Sequence, residues 1–197
     1  MAIIVEHDKR RKEILQKSLD IFIEEGYEDV TFQKIADRCG ITRTTLYIYF
    51  KNKHEIFLGS IKELTSTIEA NLLKYVNNNS ISNEEALRSV MMEILDQFEQ
   101  NGKLFSIVLV YLLQLRKTGV DTNERVRRRV LRLRHHMSTI IIHGIDSGEF
   151  KKMNVKEVDD ILYGLLESAI YRIAILNSPD TTSLRASINL AIDCLLQ

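Results

Sequence analysis

The stretch from Thr31 to Phe50, TFQKIADRCGITRTTLYIYF, limits the folds open to this chain more than any other part of it. Thr31 is a good N-cap, and the apolar residues after it recur at helical spacing. Gly40 stands where a helix commonly ends in the left-handed conformation, and Thr42 can cap a second short helix. Leu46 and Phe50 point inward from that second helix in this pattern. The stretch therefore predicts a helix-turn-helix.

The outer face of the second helix is predicted to carry groups that suit nucleic acid. Arg43 can bridge O6 and N7 of a guanine, which supplies about 1–3 kcal/mol of discrimination, or it can contact a phosphate or remain solvated. Thr44 and Thr45 can touch a base, a thymine methyl group or a phosphate. Tyr47 adds a phenol to the same face.

The rest of the chain predicts helices and gives no sign of a sheet. It holds 197 residues, of which 45% are hydrophobic, with one proline and eight glycines, so long helices form easily. Caps at Asn52, Ser82 and Asn154, together with polar breaks, divide it into an all-α fold of about nine helices. The helix-turn-helix supplies the second and third, and the others are predicted at residues 8–25, 53–76, 83–100, 103–117, 122 or 123–147, 155–176 and 181–196.

Charge and cysteine content bear on the partners and the cellular location of the chain. The formal net charge is zero, so bulk charge does not favour a nucleic-acid partner and the distribution of charge matters more. Residues 9–12 and 38–53 are basic and residues 20–29 are acidic, so a positive face survives if the acidic stretch faces away. Two cysteines make no disulfide framework, and neither a signal sequence nor a membrane-length apolar run occurs. A cytoplasmic location without a membrane partner is expected.

The N-terminal part resembles the TetR family of bacterial transcriptional regulators. The resemblance covers roughly residues 8–58 and rests on Phe22, Gly26-Tyr27, Thr31, Ile35-Ala36, Gly40-Ile41-Thr42, Thr45-Leu46-Tyr47, Tyr49-Phe50 and Lys53. It implies a homodimer in which three N-terminal helices of each subunit bind a double-stranded, pseudo-palindromic DNA operator. It further implies a body of about six helices that takes a small-molecule effector and then releases the operator.

The resemblance also suggests roles for single residues. Gln33 is either a second base-reading side chain or an ordinary exposed residue, and Tyr47 is a phosphate contact. Lys53, in the first turn of the fourth helix, suits a phosphate beside free backbone N–H groups. Residues 9–12 either reach the DNA or form a solvated helix start. The predicted DNA-binding residues are Thr31, Gln33, Thr42, Arg43, Thr44, Thr45, Tyr47, Tyr49 and Lys53.

The chain is predicted to divide into a DNA-binding domain at residues 8–54 and a ligand-binding and dimerisation domain at residues 55–197. The last two helices carry more apolar surface than one core needs, so a four-helix bundle with a second subunit is favoured over simple core packing. The predicted dimer contacts are Ile161, Leu165, Ile173, Leu184, Ile188 and Ile192. The candidates for an effector pocket, for each of which a core or surface position is favoured, are Phe105, Tyr111, His136, Tyr163, Glu167 and Tyr171.

The remaining charged and histidine residues give no clear sign of a metal site, an anion site or a catalytic centre. The basic run Arg125–Arg134 is either an anion site or a solvated face paired with acidic helices, and the second is favoured. His136 and His143 lie two turns apart on one helix, so neither a metal site nor a cofactor is predicted. Without a nucleophile–base constellation or a phosphate loop, an all-α enzyme is disfavoured. A regulator that activates transcription, or that responds to a protein instead of a small molecule, remains the alternative.

Overall fold

The computed structural model describes residues 2–78, 80–117 and 123–197, and the side chains of residues 6–78, 80–117 and 128–197. Within these ranges the chain is all-α, as predicted, and the one pairing of extended backbone is an isolated bridge between Phe150 and Leu196. The described helices are α1 Ala2–Glu25, α2 Phe32–Cys39, α3 Arg43–Tyr49, α4 Lys53–Val76, α5 Asn83–Gln100, α6 Gly102–Lys117, α7 Asn123–Ser147, α8 Val155–Ala174 and α9 Thr182–Asp193.

Most predicted helix limits agree with these bounds, and the differences lie at helix ends. Helix α1 begins at Ala2 and not at residue 8. Helix α9 ends at Asp193, three residues early, because the next backbone groups leave the helix: Leu195 accepts a hydrogen bond from the N–H of Lys151 at 2.8 Å. Helix α8 ends two residues early. The predicted break at residues 118–119 and the alternative start at residue 122 lie outside the described residues.

The chain separates into two compact units, Met1–Ile68 and Glu69–Gln197, so the division falls inside α4. In the first unit, local hydrogen bonds make the predicted helix-turn-helix. The Thr31 side chain accepts from the N–H of Lys34, and the Thr42 side chain accepts from the N–H of Thr45. Gly40 has φ 66°, a left-handed conformation that is unfavourable for residues with a Cβ atom. Its N–H donates to carbonyl oxygens in the last turn of α2 and so ends the helix.

An aromatic cluster joins the helices of the first unit. The ring of Phe22 on α1 meets Phe57 on α4 edge-on, with 4.9 Å between the ring centroids, and Tyr27 lies 4.8 Å from Phe57. Such pairs add about 0.5–1.5 kcal/mol beyond the apolar area that they bury. Besides Phe22 and Phe57, the buried apolar side chains of this unit are Ile14, Leu15, Ile21, Val30, Ile35, Ala36, Cys39, Leu46, Phe50 and Ile56.

Helix α5 is the centre of the second unit, because α6, α7, α8 and α9 all pack against it. Two arginines fasten α9 to it. Arg88 on α5 bonds Asn189 at 3.0 Å and also pairs with Asp193, and Arg185 on α9 pairs with Asp96 at 2.6 Å. The apolar side chains of α5 in this core are Ala86, Leu87, Val90, Met91, Ile94, Leu95 and Phe98.

The start of α5 is held by two acceptors. Ser82 accepts from the N–H of Glu85 at 3.1 Å, as the sequence predicts for a capping box. Glu149, in the connection between α7 and α8, accepts from the N–H groups of Asn83 and Glu84 at 2.7 and 3.2 Å. Burial alone acts to raise the pKa of Glu149, but these bonds and others outweigh it and lower the pKa. A carboxylate from a distant segment thus stabilises the positive end of the helix.

Candidate nucleic-acid interface

The inner face of α3 is buried as predicted. Leu46 is fully buried and Phe50 is 1% exposed, and the Arg11 guanidinium lies 4.5 Å from the centre of the Phe50 ring. A seven-residue helix would not persist alone in water, so this packing and the Thr42 cap hold it in place. Its opposite face is open, and Arg43, Thr44, Tyr47 and Ile48 are exposed there.

Arg43 and Tyr47 form one ordered pair on this face. The Arg43 guanidinium donates to the Tyr47 hydroxyl at 3.2 Å and lies 5.7 Å from the centre of its ring. The Tyr47 ring packs in turn on Phe32, the first residue of α2, with 4.5 Å between centroids. Phe32 is therefore half-buried beneath Tyr47 and not in the core with Ile35, which its helical spacing suggested. Because Phe32 holds the Tyr47 ring in place, the hydrogen bond to the Tyr47 hydroxyl limits the directions in which the Arg43 guanidinium can point.

Gln33 is exposed near the start of α2, and its amide nitrogen donates to the Asp37 carboxylate at 2.7 Å. Because a carboxylate only accepts hydrogen bonds, this contact identifies which end of the amide is nitrogen. The carbonyl oxygen and the second N–H of Gln33 stay available for a base edge or a phosphate. The sequence did not reveal Asp37 as the residue that orients Gln33, although the spacing of four residues is the expected one.

The threonines differ in what they leave available. The hydroxyl groups of Thr42 and Thr45 are 2.8 Å apart, and Thr42 also caps α3, so both are already engaged. Thr31 caps α2. Thr44 is exposed in the middle of the open face. Tyr49 is half-buried and stacks on His7 of α1, with ring centroids 4.6 Å apart.

Lys53 has a role in the structure that its position in the sequence did not indicate. Its ammonium donates to the carbonyl oxygens of Tyr27 and Glu28 at 2.8 and 3.1 Å and lies 4.5 Å from the centre of the Tyr27 ring. The lysine therefore fastens the α1–α2 loop to the start of α4. A phosphate contact by the third N–H of the ammonium stays a prediction.

The acidic stretch does not keep apart from the basic residues. Glu25 pairs with Lys34 at 2.6 Å, and Glu24 pairs with Arg38 at 2.5 Å, so two cations of α2 are neutralised. In the run at residues 9–12, the partners are also acidic: Arg10 with Glu13, Arg11 with Glu55 and Lys12 with Glu63. Positive charge near α3 thus comes from few side chains, with Arg43 and the exposed Lys51 among them.

The predicted pocket residues lie apart from the cleft that the structure shows in the second unit. An open cleft of about 540 Å³ in the second unit is lined mainly by polar residues from the end of α4, the start of α5 and the end of α7. None of the six borders it. Phe105 packs edge-on against Phe98, Tyr111 is buried, and Glu167 and Tyr171 are exposed.

His136 and Tyr163 each lie beside charged groups. The Nε2 atom of His136 is 3.8 Å from the Glu69 carboxylate, and the Arg134 guanidinium lies 5.2 Å from the centre of the Tyr163 ring. Arg134 also bonds Asp159 at 2.5 Å. Burial raises the pKa of the Asp159 carboxyl, and Arg134 acts against that shift.

Two arginines of the basic run Arg125–Arg134 meet acidic groups. Besides Arg134, Arg132 pairs with Glu69 at 3.0 Å. These pairs favour the interpretation as a paired surface over an anion site. The side chains of Arg125 and Arg127 lie outside the described residues.

The dimer contacts predicted on α8 and α9 need a correction. Ile173, Leu184, Ile188 and Ile192 are at most 6% exposed, so they pack within the core of the single chain. The apolar spacing on these helices identified buried faces but not the partner that buries them. Of the six residues, Ile161 is exposed and Leu165 is half-buried.

Two capped short helices around a three-residue turn, with a packed inner face and an open polar outer face, define a helix-turn-helix DNA-binding protein. Residues 14–59 match the family model described as "Bacterial regulatory proteins, tetR family". The N-terminal part of the chain thus matches the DNA-binding module of TetR-family transcriptional regulators, and the resemblance noted in the sequence is confirmed. Proteins of this family are regulators and not enzymes.

Relatives and solved structures extend the likeness beyond that module. The fatty acid metabolism regulator protein of Bacillus subtilis (strain 168) is 21% identical over 159 residues, which cover 80% of each protein. A TetR transcription regulator from Haloarcula marismortui has a TM-score of 0.84 at 23% identity, over 96% of this chain and 100% of that one. FadR from Bacillus subtilis, in complex with stearoyl-CoA, has a TM-score of 0.70 at 21% identity, over 94% and 97%. In the part of this chain that the structure describes, no helix is both long and apolar enough to cross a membrane.

The contacts of Lys53 predict a loss of stability on its removal. Lys53→Met leaves the Tyr27 and Glu28 carbonyl groups without this donor, and urea unfolding should show a loss of roughly 1–2 kcal/mol. Lys51→Met, two residues away and exposed, should change the free energy of unfolding by less than about 0.5 kcal/mol. Equal stability of both variants would contradict the anchoring role.

Proposed function

We propose that the chain is a homodimeric repressor that places one α3 per subunit in successive major grooves of a pseudo-palindromic operator, and that a small-molecule effector releases it. The open face of α3, with Arg43 ordered by Tyr47, is the observation that carries the DNA-binding part of the proposal. Residues 8–54 would be the DNA-binding domain and residues 55–197 the domain for effector and dimer contacts.

Base reading and phosphate binding would be divided among the predicted residues. Arg43, Gln33 and Thr44 keep groups available on the open faces of α2 and α3, which suits base edges. The remaining members of the set would contact phosphates, and these contacts make affinity depend on salt. A chain with zero net charge and few unpaired cations near α3 gains from doubling, because two reading helices about one DNA turn apart add their contacts.

The exposed face of α8 supports dimerisation. Ile161, Tyr171 and Ile175 are each more than half exposed and recur along one side of the helix. Gly164 lies on the same side, and a Cβ atom there would meet no atom of the chain within 4 Å. Glycine within a helix lowers stability by about 0.5–1 kcal/mol relative to alanine. Nothing in the single chain requires a glycine at this position, whereas close approach by a second helix would. Leu190 adds an exposed apolar side chain on α9.

Helix α6 supports an effector with an apolar part. It is apolar along most of its length, yet within it Leu104 and Tyr111 are the fully buried side chains. Those at Phe105, Ile107 and Leu109 are half-buried, which leaves aliphatic and aromatic surface that the described chain covers incompletely. A long acyl chain would cover such surface, and the complex of FadR with stearoyl-CoA makes an acyl-CoA the first effector to test.

Arg43→Ala is the variant that tests base reading. On an operator recovered by in vitro selection, its dissociation constant should rise by about 5- to 150-fold per half-site, because a bidentate guanine contact supplies about 1–3 kcal/mol. On a random duplex at the same salt the change should stay within a few-fold. The dissociation constant of Arg43→Lys on the operator should lie between those of the wild type and Arg43→Ala, because lysine keeps the charge and loses the planar guanidinium. Equal losses on both duplexes would make Arg43 a backbone contact.

Ile161→Asp is the variant that tests the dimer. The side chain is exposed in the single chain, so a carboxylate there should leave folding intact and place buried charge in the proposed interface. Sedimentation should show a shift from dimer to monomer. Val110→Asp, at a comparably exposed position on α6, is the matched control and should remain dimeric. A dimer that persists in Ile161→Asp moves the interface away from this face of α8.

Stearoyl-CoA is expected to weaken operator binding at least 10-fold at saturation, as measured by fluorescence anisotropy. The physical reason is that an effector shifts the equilibrium only by its unequal affinity for the DNA-competent and incompetent states. Coenzyme A and stearate, tested separately, show which part is recognised. No release by a broad panel of metabolites, with operator binding intact, would instead favour the alternative of an activator or a protein-responsive regulator.

A further inference from the structure

Ile48 is an apolar side chain in an unexpected place. At 68% exposure it is the most exposed of the large apolar side chains that the structure describes, and it lies on the open face of α3. Single exposed apolar residues are common on protein surfaces. This one differs because it stands on the helix whose outer face forms the candidate interface, where each exposed group would face DNA.

The side chains of α3 arrange this face in two rows. Residues four apart share one side of a helix, so Arg43 stands beside Tyr47, and Thr44 stands beside Ile48. The first row is polar and is held by the hydrogen bond between its members and by the packing of Tyr47 on Phe32. The second row offers the Thr44 methyl and hydroxyl groups next to an aliphatic side chain.

The chemistry of Ile48 restricts its partner on DNA. An isoleucine side chain neither donates nor accepts a hydrogen bond, so it gains nothing from a phosphate or from the polar edge of a base. The apolar feature of the major groove is the C5-methyl group of thymine. The nearest exposed residues along the chain, Tyr47, Lys51 and Asn52, all carry polar groups, which does not suit an apolar patch of the kind that binds another protein.

We infer that Ile48 is a specificity-determining residue that contacts the C5-methyl group of a thymine in each half-site, with the Thr44 methyl group beside it. The inference rests on the proposed placement of α3 in the major groove. Arg43 and Ile48 then read different features: the first a hydrogen-bonding pattern, the second a methyl group. The operator half-site contains a thymine within reach of the second row.

Replacing single thymines by deoxyuridine tests this directly, because it removes only the methyl group. The full-length chain is used to select an operator from a random duplex pool, and each thymine of the operator is then replaced in turn. For the wild type, each half-site should contain one thymine whose replacement weakens binding about fourfold. That factor corresponds to the burial of one methyl group. Ile48→Ala should bind the thymine and uracil duplexes equally, and Ile48→Val should keep most of the preference.

The remaining outcomes are also decisive. Thermal unfolding of Ile48→Ala should match the wild type, since the side chain is exposed. Wild-type binding that ignores every replacement overturns the inference, as does a preference that survives in Ile48→Ala and disappears in Thr44→Ser, which lacks only the methyl group. A selection that enriches no sequence overturns the proposed function instead, so the two failures are distinct.

Discussion

A seven-residue helix cannot hold its own shape in water, and the candidate interface depends on how this chain overcomes that constraint. Leu46 and Phe50 are buried against the first unit, and Thr42 satisfies a backbone N–H at the start of α3. Only because the inner face is fixed does the outer face have a defined geometry. Arg43 and Ile48 owe their positions to side chains that never reach the DNA in the proposed complex.

The same division between packed and open faces organises the second unit. The apolar face of α5 is buried in the core, and ion pairs of Arg88 and Arg185 connect α5 to α9. Among the surfaces that the core leaves uncovered are the half-buried side of α6 and the exposed side of α8. Those are the surfaces that the proposed effector and the proposed second subunit would cover, so core packing defines them by exclusion.

Features that depend on neighbouring residues could be predicted well. The caps Thr31, Thr42 and Ser82 each bond a backbone N–H three residues ahead, and Gly40 adopts the left-handed conformation at the end of α2. Features that depend on distant residues were missed. Lys53 bonds carbonyl groups about 25 residues away, and Glu149 caps a helix that begins 66 residues before it. No local pattern signals such contacts, because they exist only once the helices have packed.

The sequence by itself determined the all-helical fold, the helix-turn-helix and the resemblance of the N-terminal part to the family, because caps, glycine positions and apolar spacing act over one or two helical turns. Only the tertiary structure decided which apolar faces remain open. The spacing of Ile188 and Ile161 is equally helical, yet one is buried in the core and the other is 61% exposed. Periodicity shows that a face needs a partner, and the packing of all the helices together decides whether the chain supplies one.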